Sequence, residues 1–279
     1  MSAALYFRRL RKYGFPLLAA IIMGFMAVCA IFPSAIAPYA PTAMNANDVL
    51  SSPGSKYWLG TDYFGRDIFS LIVYGSQQSL AIGLVSVIIG GGIGTLIGVI
   101  AGYTGRVTDM VLMRFIDVIM TIPGILLALA ISAALGASLF NMIIAVSAAT
   151  IPGYARIMRG QVMSVKGRPF IEAAKAAGAT PLAILWKHVL PNSLSPLLVM
   201  AAIGIGNAVL VGSSLSFLGL GVHGEVPDWG GLLSLGRGYL TVAWWIATFP
   251  GFALTLLVVS MNILGDELRN KLDPKKSRH

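Results

Sequence analysis

The sequence predicts an all-α integral membrane protein with six transmembrane helices, and three observations carry that expectation. Of the 279 residues, 56% are hydrophobic and only 11% charged, with a mean hydropathy of +0.80, outside the range of a water-soluble domain. Apolar runs near the ~20 residues that cross a bilayer fall at about 15–37, 80–102, 110–135, 138–158, 192–221 and 244–264. They are continuous and rich in Ala, Gly, Leu and Ile, whereas the strands of a membrane barrel are short and alternate polar with apolar residues.

The first run follows Arg8, Arg9, Arg11 and Lys12 and ends near "AIA", which looks like a signal peptide. At 23 residues it exceeds the ~7–15 of a signal core, so it reads as an uncleaved first span. Residues 38–79 then hold Pro, Asn, Ser and Gly in a pattern of loops followed by short amphipathic pieces. In the second span Gly94, Gly98 and Gly102 recur every four residues, lining one helix face with hydrogens so that a neighbouring backbone can come close. In the third, Arg114 and Asp117 stand three apart and can pair on one face, as an anchor or as a functional group. Pro123 and Pro152 each remove a backbone donor and are expected to kink or end a helix. The fifth run has 30 residues, about 45 Å of helix, too long for one upright span. Within it Asn207, Ser213, Ser214 and Ser216 are candidates either for lining a translocation path or for bonding helix to helix.

The net charge of +9 does not indicate nucleic acid. Besides the four N-terminal residues, the cations sit at Arg106 and Arg114, in six positions from Arg156 to Lys187, and in five from Arg269 to Arg278. With six spans these segments share one side, which the positive-inside rule makes the cytoplasm, with both termini there. Asp48, Asp62, Asp67, Glu225 and Asp228 fall on the other side.

Between the fourth and fifth runs lies "GRPFIEAAKAAGATPLAILWKHVLPNSLSP", Gly167 to Pro196. Pro169 suits a first helical turn and Glu172 meets the positive end of that helix. Ala173, Ala174, Ala176 and Ala177 favour the helix, and Gly178 is placed to end it in the left-handed conformation. Thr180 and Pro181 form an N-cap and first-turn pair for a second helix, in which Leu182, Leu185, Trp186 and Val189 recur as one apolar stripe. Such a helix-turn-helix either packs under the bundle or presents a docking surface to a soluble partner.

The sequence lacks catalytic constellations. No Gly-Lys pair exists for a phosphate-binding loop, His188, His223 and His279 have no metal-ligand spacing, and no Gly-x-Ser-x-Gly elbow is present. Cys29 is the single cysteine, so neither a disulfide within the chain nor a thiolate metal site can form. A non-enzymatic chain is expected, with no cofactor or metal of its own. The twelve methionines are ordinary packing residues and do not argue for metal cargo.

The loop resembles the "EAA" loop of permease subunits of bacterial ABC importers: Glu172-Ala173-Ala174, then Gly178, then Leu190-Pro191. His188 replaces the isoleucine of the broad pattern, and "KHVLPN" is similar to the peptide/nickel branch. "LGTDYFGRDIFS" (Leu59–Ser70), "YARIMRG" (Tyr154–Gly160), "LSFLGLG" (Leu215–Gly221), "DWGGLL" (Asp228–Leu233) and "NILGDELRNKLDP" (Asn262–Pro274) resemble the C-type permease of dipeptide and oligopeptide importers. Gly212-Ser213 departs from that pattern, in which an acidic residue precedes "LSFLGLG", and so offers no acidic group to a cationic substrate.

The resemblance implies a type I ABC importer (MetI-like) permease fold. It further implies an N-terminal part over 1–75, a permease domain over 76–265 with a coupling loop at about 161–191, and a cytoplasmic tail over 266–279. The coupling helix, with Glu172, Ala173, Ala174, Gly178, Leu182, Trp186, His188, Leu190 and Pro191, would dock on a cytoplasmic ATPase. The implied partners in the bacterial inner membrane are a homologous permease, two ATPase subunits that bind the ATP and Mg, and an extracytoplasmic binding protein. Di- or oligopeptides are the implied cargo, with nickel or metal chelates, opines and D-amino-acid dipeptides as alternatives. A stand-alone channel or secondary transporter is the rival from another class; it would favour internal repeats or buried carboxylates.

Overall fold

The computed structural model describes residues 14–222, 224 and 226–272. The N-terminal basic residues Arg8, Arg9, Arg11 and Lys12, together with His223, Glu225 and the end of the chain from Asp273 to His279, lie outside the described residues. Among the described residues the regular elements are helical, with one isolated bridge between Thr61 and Asp67.

Helix α1 (Phe15–Ile31) starts with Pro16 in its first turn and breaks at Phe32 before the short α2 (Pro33–Ile36). The residue before a proline is disfavoured in helical conformation, and Phe32 sits at φ −125°, ψ 56°. The predicted first span therefore divides near its end. After it, the segment to Asp67 is loop apart from a single 3-10 turn, Ala46–Asp48. "GTDYFGRD" folds it tightly. Asp62 accepts hydrogen bonds from the N–H groups of Phe64 and Arg66 and from Arg66 Nε, in a buried ion pair of 2.7 Å. Gly65 turns at φ +74°, where a Cβ would strike the backbone of Asn45. Trp245 Nε1 donates to the Thr61 carbonyl at 3.0 Å, tying this segment to the last helix.

Helix α3 (Ile68–Thr104) has 37 residues, about 55 Å, and begins well before the predicted position 80. Asp67 caps it, accepting from Ser70 N at 2.9 Å, and no proline follows to interrupt it. The residues read as short amphipathic pieces up to 79 are its first turns. Its glycine face meets α6 (Leu139–Lys166): Cβ atoms on Gly94, Gly98 and Gly102 would lie 2.5, 2.5 and 2.9 Å from the carbonyl oxygens of Ile151, Ala155 and Arg159. Gly90 extends the stripe against Ser147. These backbones touch because the side chains are absent.

The predicted third span is broken. Helices α4 (Arg106–Met120) and α5 (Gly124–Leu135) are bent by 84° across Thr121–Pro123. Pro123, at φ −52° and ψ 130°, lacks the donor that would continue α4 and presets the turn into α5. Pro152 behaves otherwise: α6 runs through it unbroken. Asp117 also pairs differently from the expectation, with Arg156 of α6 at 2.6 Å and not with Arg114, while Asp109 holds Arg159 at 2.5 Å. The acidic face of α4 is thus clasped to α6, leaving Val107, Met110, Phe115 and Val118 exposed.

The long fifth run also divides. Helix α10 (Ser195–Leu215) continues as a π turn, Ser216–Leu220, that ends where Gly219 adopts φ +86°. Helix α11 (Trp229–Arg237) follows, capped by Asp228, and α12 (Trp245–Leu272) closes the bundle, running past the predicted end at 264. By length and apolarity α3, α10 with its π turn, and α12 can cross a membrane, and the α4–α5 pair forms a fourth candidate. One core cluster joins α3, α6 and α10 around Met142, Tyr154 and Met158; a second joins α3, α11 and α12 around Leu71, Trp229 and Leu257.

Candidate coupling loop and bundle cavities

Between α6 and α10 the chain forms α7 (Pro169–Ala176), α8 (Pro181–Ile184), a π turn Leu185–Val189 and α9 (Leu190–Ser193). The end of α7 is a Schellman motif: Gly178 N–H donates to the Lys175 carbonyl at 3.0 Å and Ala179 N–H to the Ala174 carbonyl at 3.1 Å. Gly178 stands at φ +81°. Thr180 Oγ1 then accepts from Ala183 N–H at 3.3 Å, with Pro181 in the first turn. Glu172 lies in the first turn of α7, and both it and Ala173 are exposed, while Ala174 is half-buried.

The expected apolar stripe is divided. Val189 is fully buried, Leu185 partly so, but Leu182 and Trp186 are 65% and 64% exposed. A π turn accommodates an extra residue and rotates the helix beyond it, so the buried positions become Ile184 and Val189, five apart. Pro191 explains its place: it has no N–H to return to residue 187, and its ring would clash with that carbonyl in a regular helix. With Ile171, these residues enter the bundle core beside Val162 and Val165. The opposite surface shows Phe170, Leu182 and Trp186 to solvent. His188 is half-buried, its ring 6.4 Å from that of Phe170, and its carbonyl accepts from Asn192 Nδ2 at 2.7 Å. Leu190 is half-buried and Pro191 exposed.

Tyr103, which sequence reasoning did not single out, joins the loop to α3. Its hydroxyl donates to the Pro181 carbonyl, and its own carbonyl accepts from Lys166 Nζ at 2.6 Å. Lys166 also lies 5.3 Å from the centre of the Tyr103 ring. A lone aromatic near the end of an apolar run carries no spacing that would reveal such a bond.

Among the described residues, cavities of different size flank the bundle. The larger, about 1020 Å³, lies between the α4–α5 break, α6 and α10, and Asn207 lines it together with Thr150, Gln161 and Asn192. The smaller, about 560 Å³, is lined by Tyr63, Phe64, Arg66, Ser216 and Asp228. Burial pushes the Asp228 carboxyl up, opposed by its bonds with Ser216 and the N–H groups of Gly231 and Gly230. Ser213 lines neither cavity: it is buried against Gly230 with its hydroxyl unpartnered. Ser214 is half-buried and bonds back to the Leu210 carbonyl at 2.8 Å. The four polar residues of the fifth run thus face four different surroundings. Among the described residues no group of His, Cys, Asp and Glu could hold a metal ion.

The sequence profile of the binding-protein-dependent transport system inner membrane component family matches residues 94–278. The chain belongs to this family. Among curated relatives of this permease, the dipeptide transport system permease protein of Alkalihalophilus pseudofirmus is 42% identical over 269 residues, spanning 96% of this chain and 88% of the relative. The probable D,D-dipeptide transport system permease protein of Escherichia coli strain K12 is 41% identical, spanning 92% and 86%. The glutathione transport system permease protein of Escherichia coli O6:K15:H31 is 42% identical, spanning 97% and 89%. Among solved structures, an inward facing conformation of the MetNI methionine ABC transporter superposes with a TM-score of 0.61 at 23% identity, over 74% of this chain and 98% of that one. The permease thus has the MetI-like fold.

Proposed function

We propose that this ABC importer permease carries di- or oligopeptides across the inner membrane, along a path formed with a homologous permease. Two ATPase subunits would sit beneath and an extracytoplasmic binding protein above. The cargo is inferred from the relatives, whose names specify dipeptides, D,D-dipeptides and glutathione. Six spans result when α1 and α6 are counted with α3, α4–α5, α10 and α12. α1 has 17 apolar residues, about 26 Å, close to the hydrocarbon thickness. The positive-inside rule then puts both termini and the α7–α9 loop in the cytoplasm.

The observation that carries the mechanism is the two-sided loop. Ile171, Ile184 and Val189 are fixed in the bundle core while Leu182 and Trp186 are exposed on the far surface. An ATPase seated on that surface would move the loop when it closes around ATP, and the buried residues would pass the displacement to α6 and α10. Alternating access then arises from two arrangements that nucleotide stabilises unequally. The test is purification of the tagged chain in mild detergent, with and without Leu182→Asp and Trp186→Asp. Wild type should bring down a homologous permease and ATPase subunits, and the double variant should keep the permease but lose the ATPases. A wild-type chain recovered alone or as a homo-oligomer would overturn this reading in favour of solitary flux.

A further inference from the structure

The charged residues lining the larger cavity are all of one sign. Its charged lining consists of Arg168 and Arg269, with no Asp or Glu among the lining residues. Arg168 is the N-cap of α7 and Arg269 lies in the last turn of α12, so two distant parts of the chain bring them to one space. Among the described residues no hydrogen bond or ion pair engages either guanidinium. Both residues are exposed, whereas Arg156, Arg159 and Lys166 of α6 are held by Asp117, Asp109 and the Tyr103 carbonyl. The positive-inside rule accounts for cations on this side, and the cavity gathers two of them with no acid among its lining residues.

The rest of the lining is consistent with a ligand. Gly124, in the first turn of α5, opens on the same cavity, and Pro123 before it supplies no side-chain cap. The free N–H groups there add to the positive potential. Gln161, Asn192 and Asn207 contribute amides, and apolar walls supply the remainder. A guanidinium pair with amide donors and apolar walls complements a small molecule with an anionic end and a peptide backbone.

We propose that Arg168 and Arg269 form a carboxylate subsite that takes the free C-terminal carboxylate of the peptide in transit. This deepens the peptide reading and rests on it. A lipid phosphate shares the chemistry, but the cavity reaches inward to Asn207, midway along α10, where a peptide backbone finds amide partners. Because Arg168 opens α7, a bound carboxylate also links the coupling loop to α12. The permease therefore selects for a free carboxylate independently of the binding protein.

The test uses the complete complex of permeases and ATPases in phosphatidylcholine nanodiscs without binding protein. Equilibrium binding of labelled alanyl-phenylalanine is compared with that of its C-terminal amide. The free acid should bind about tenfold tighter. Arg168→Gln and Arg269→Gln should each abolish the difference, and Arg269→Lys should retain part of it. Wild-type acid and amide binding equally, or not at all, would overturn the subsite without needing any variant. So would a preference that survives both Gln substitutions. Phosphatidylglycerol that copurifies with wild type, displaces the peptide and is released by the Gln variants would assign the pair to a headgroup. Uptake into proteoliposomes driven by ATP and binding protein separates the two claims: peptide uptake without acid preference removes only the subsite, and no peptide uptake removes the cargo assignment.

Discussion

Gly178 turns at φ +81° with nothing within 4 Å of where a Cβ would stand, so substitutions there are opposed by backbone conformation and not by crowding. A left-handed non-glycine residue costs about 1–2 kcal/mol, less for Asn. Gly178→Asn should keep ATP hydrolysis coupled to uptake, whereas Gly178→Val should loosen the Schellman turn and raise the ATP consumed per peptide imported, measured in proteoliposomes. Equal ratios for the two variants would show that the turn is not needed for coupling. Pro169, Gly178, Thr180 and Pro181 were legible in the sequence because capping chemistry is local: each acts on backbone within a few residues of itself. Tyr103, Arg168 and Arg269 were not legible in the same way. Their surroundings come from α3, α7 and α12 meeting in space, and no spacing along the chain records that meeting.

The glycine stripe of α3 was readable, since a four-residue period on a helix defines a face whatever packs there. Its partner was not: the sequence did not identify α6, nor that Gly90 continues the stripe. A Cβ at Gly98 would lie 2.5 Å from a backbone oxygen, which no side-chain rotation can relieve. Gly98→Ala should therefore force α3 and α6 apart and cost about 1–3 kcal/mol, seen as a lower melting temperature in detergent. Gly92, with open space around it, is the matched control, and Gly92→Ala should leave the transition unchanged or raise it slightly, since Ala is the better helix former. At Pro123 the sequence predicts a kink or the end of a helix, and the structure shows the end, but the 84° angle is set by how α4 and α5 pack on α6 and has no signal in the sequence. Arg159→Gln should free Asp109 and loosen α4. Faster hydrogen exchange confined to residues 106–120 would report it, and unchanged exchange there would show that the clasp does not hold the helix.

Across the whole molecule, apolar length defined the helical membrane class, while the ends of helices needed tertiary structure. α3 starts at Ile68, where Asp67 caps its first turn, and α12 runs through polar residues to Leu272, both beyond the apolar windows. The inferred topology makes a direct prediction: a fluorescent fusion at the C-terminus should be bright in intact cells, and a cysteine placed at the exposed, loop-borne Ser52 should react with an impermeant maleimide from outside. Labelling of that cysteine only after lysis would reverse the orientation. The length of α3 also bears on how the two membrane faces communicate. Asp67 and the folded segment hold one end, while Tyr103 bonds the other to Pro181. An unbroken helix about 55 Å long resists compression far better than a chain of loops, so it behaves as a push-rod. In the proposed topology a tilt imposed at the outer end would reappear as displacement at the loop with little lost to bending, and the two faces of the membrane would be geared together through one rigid element.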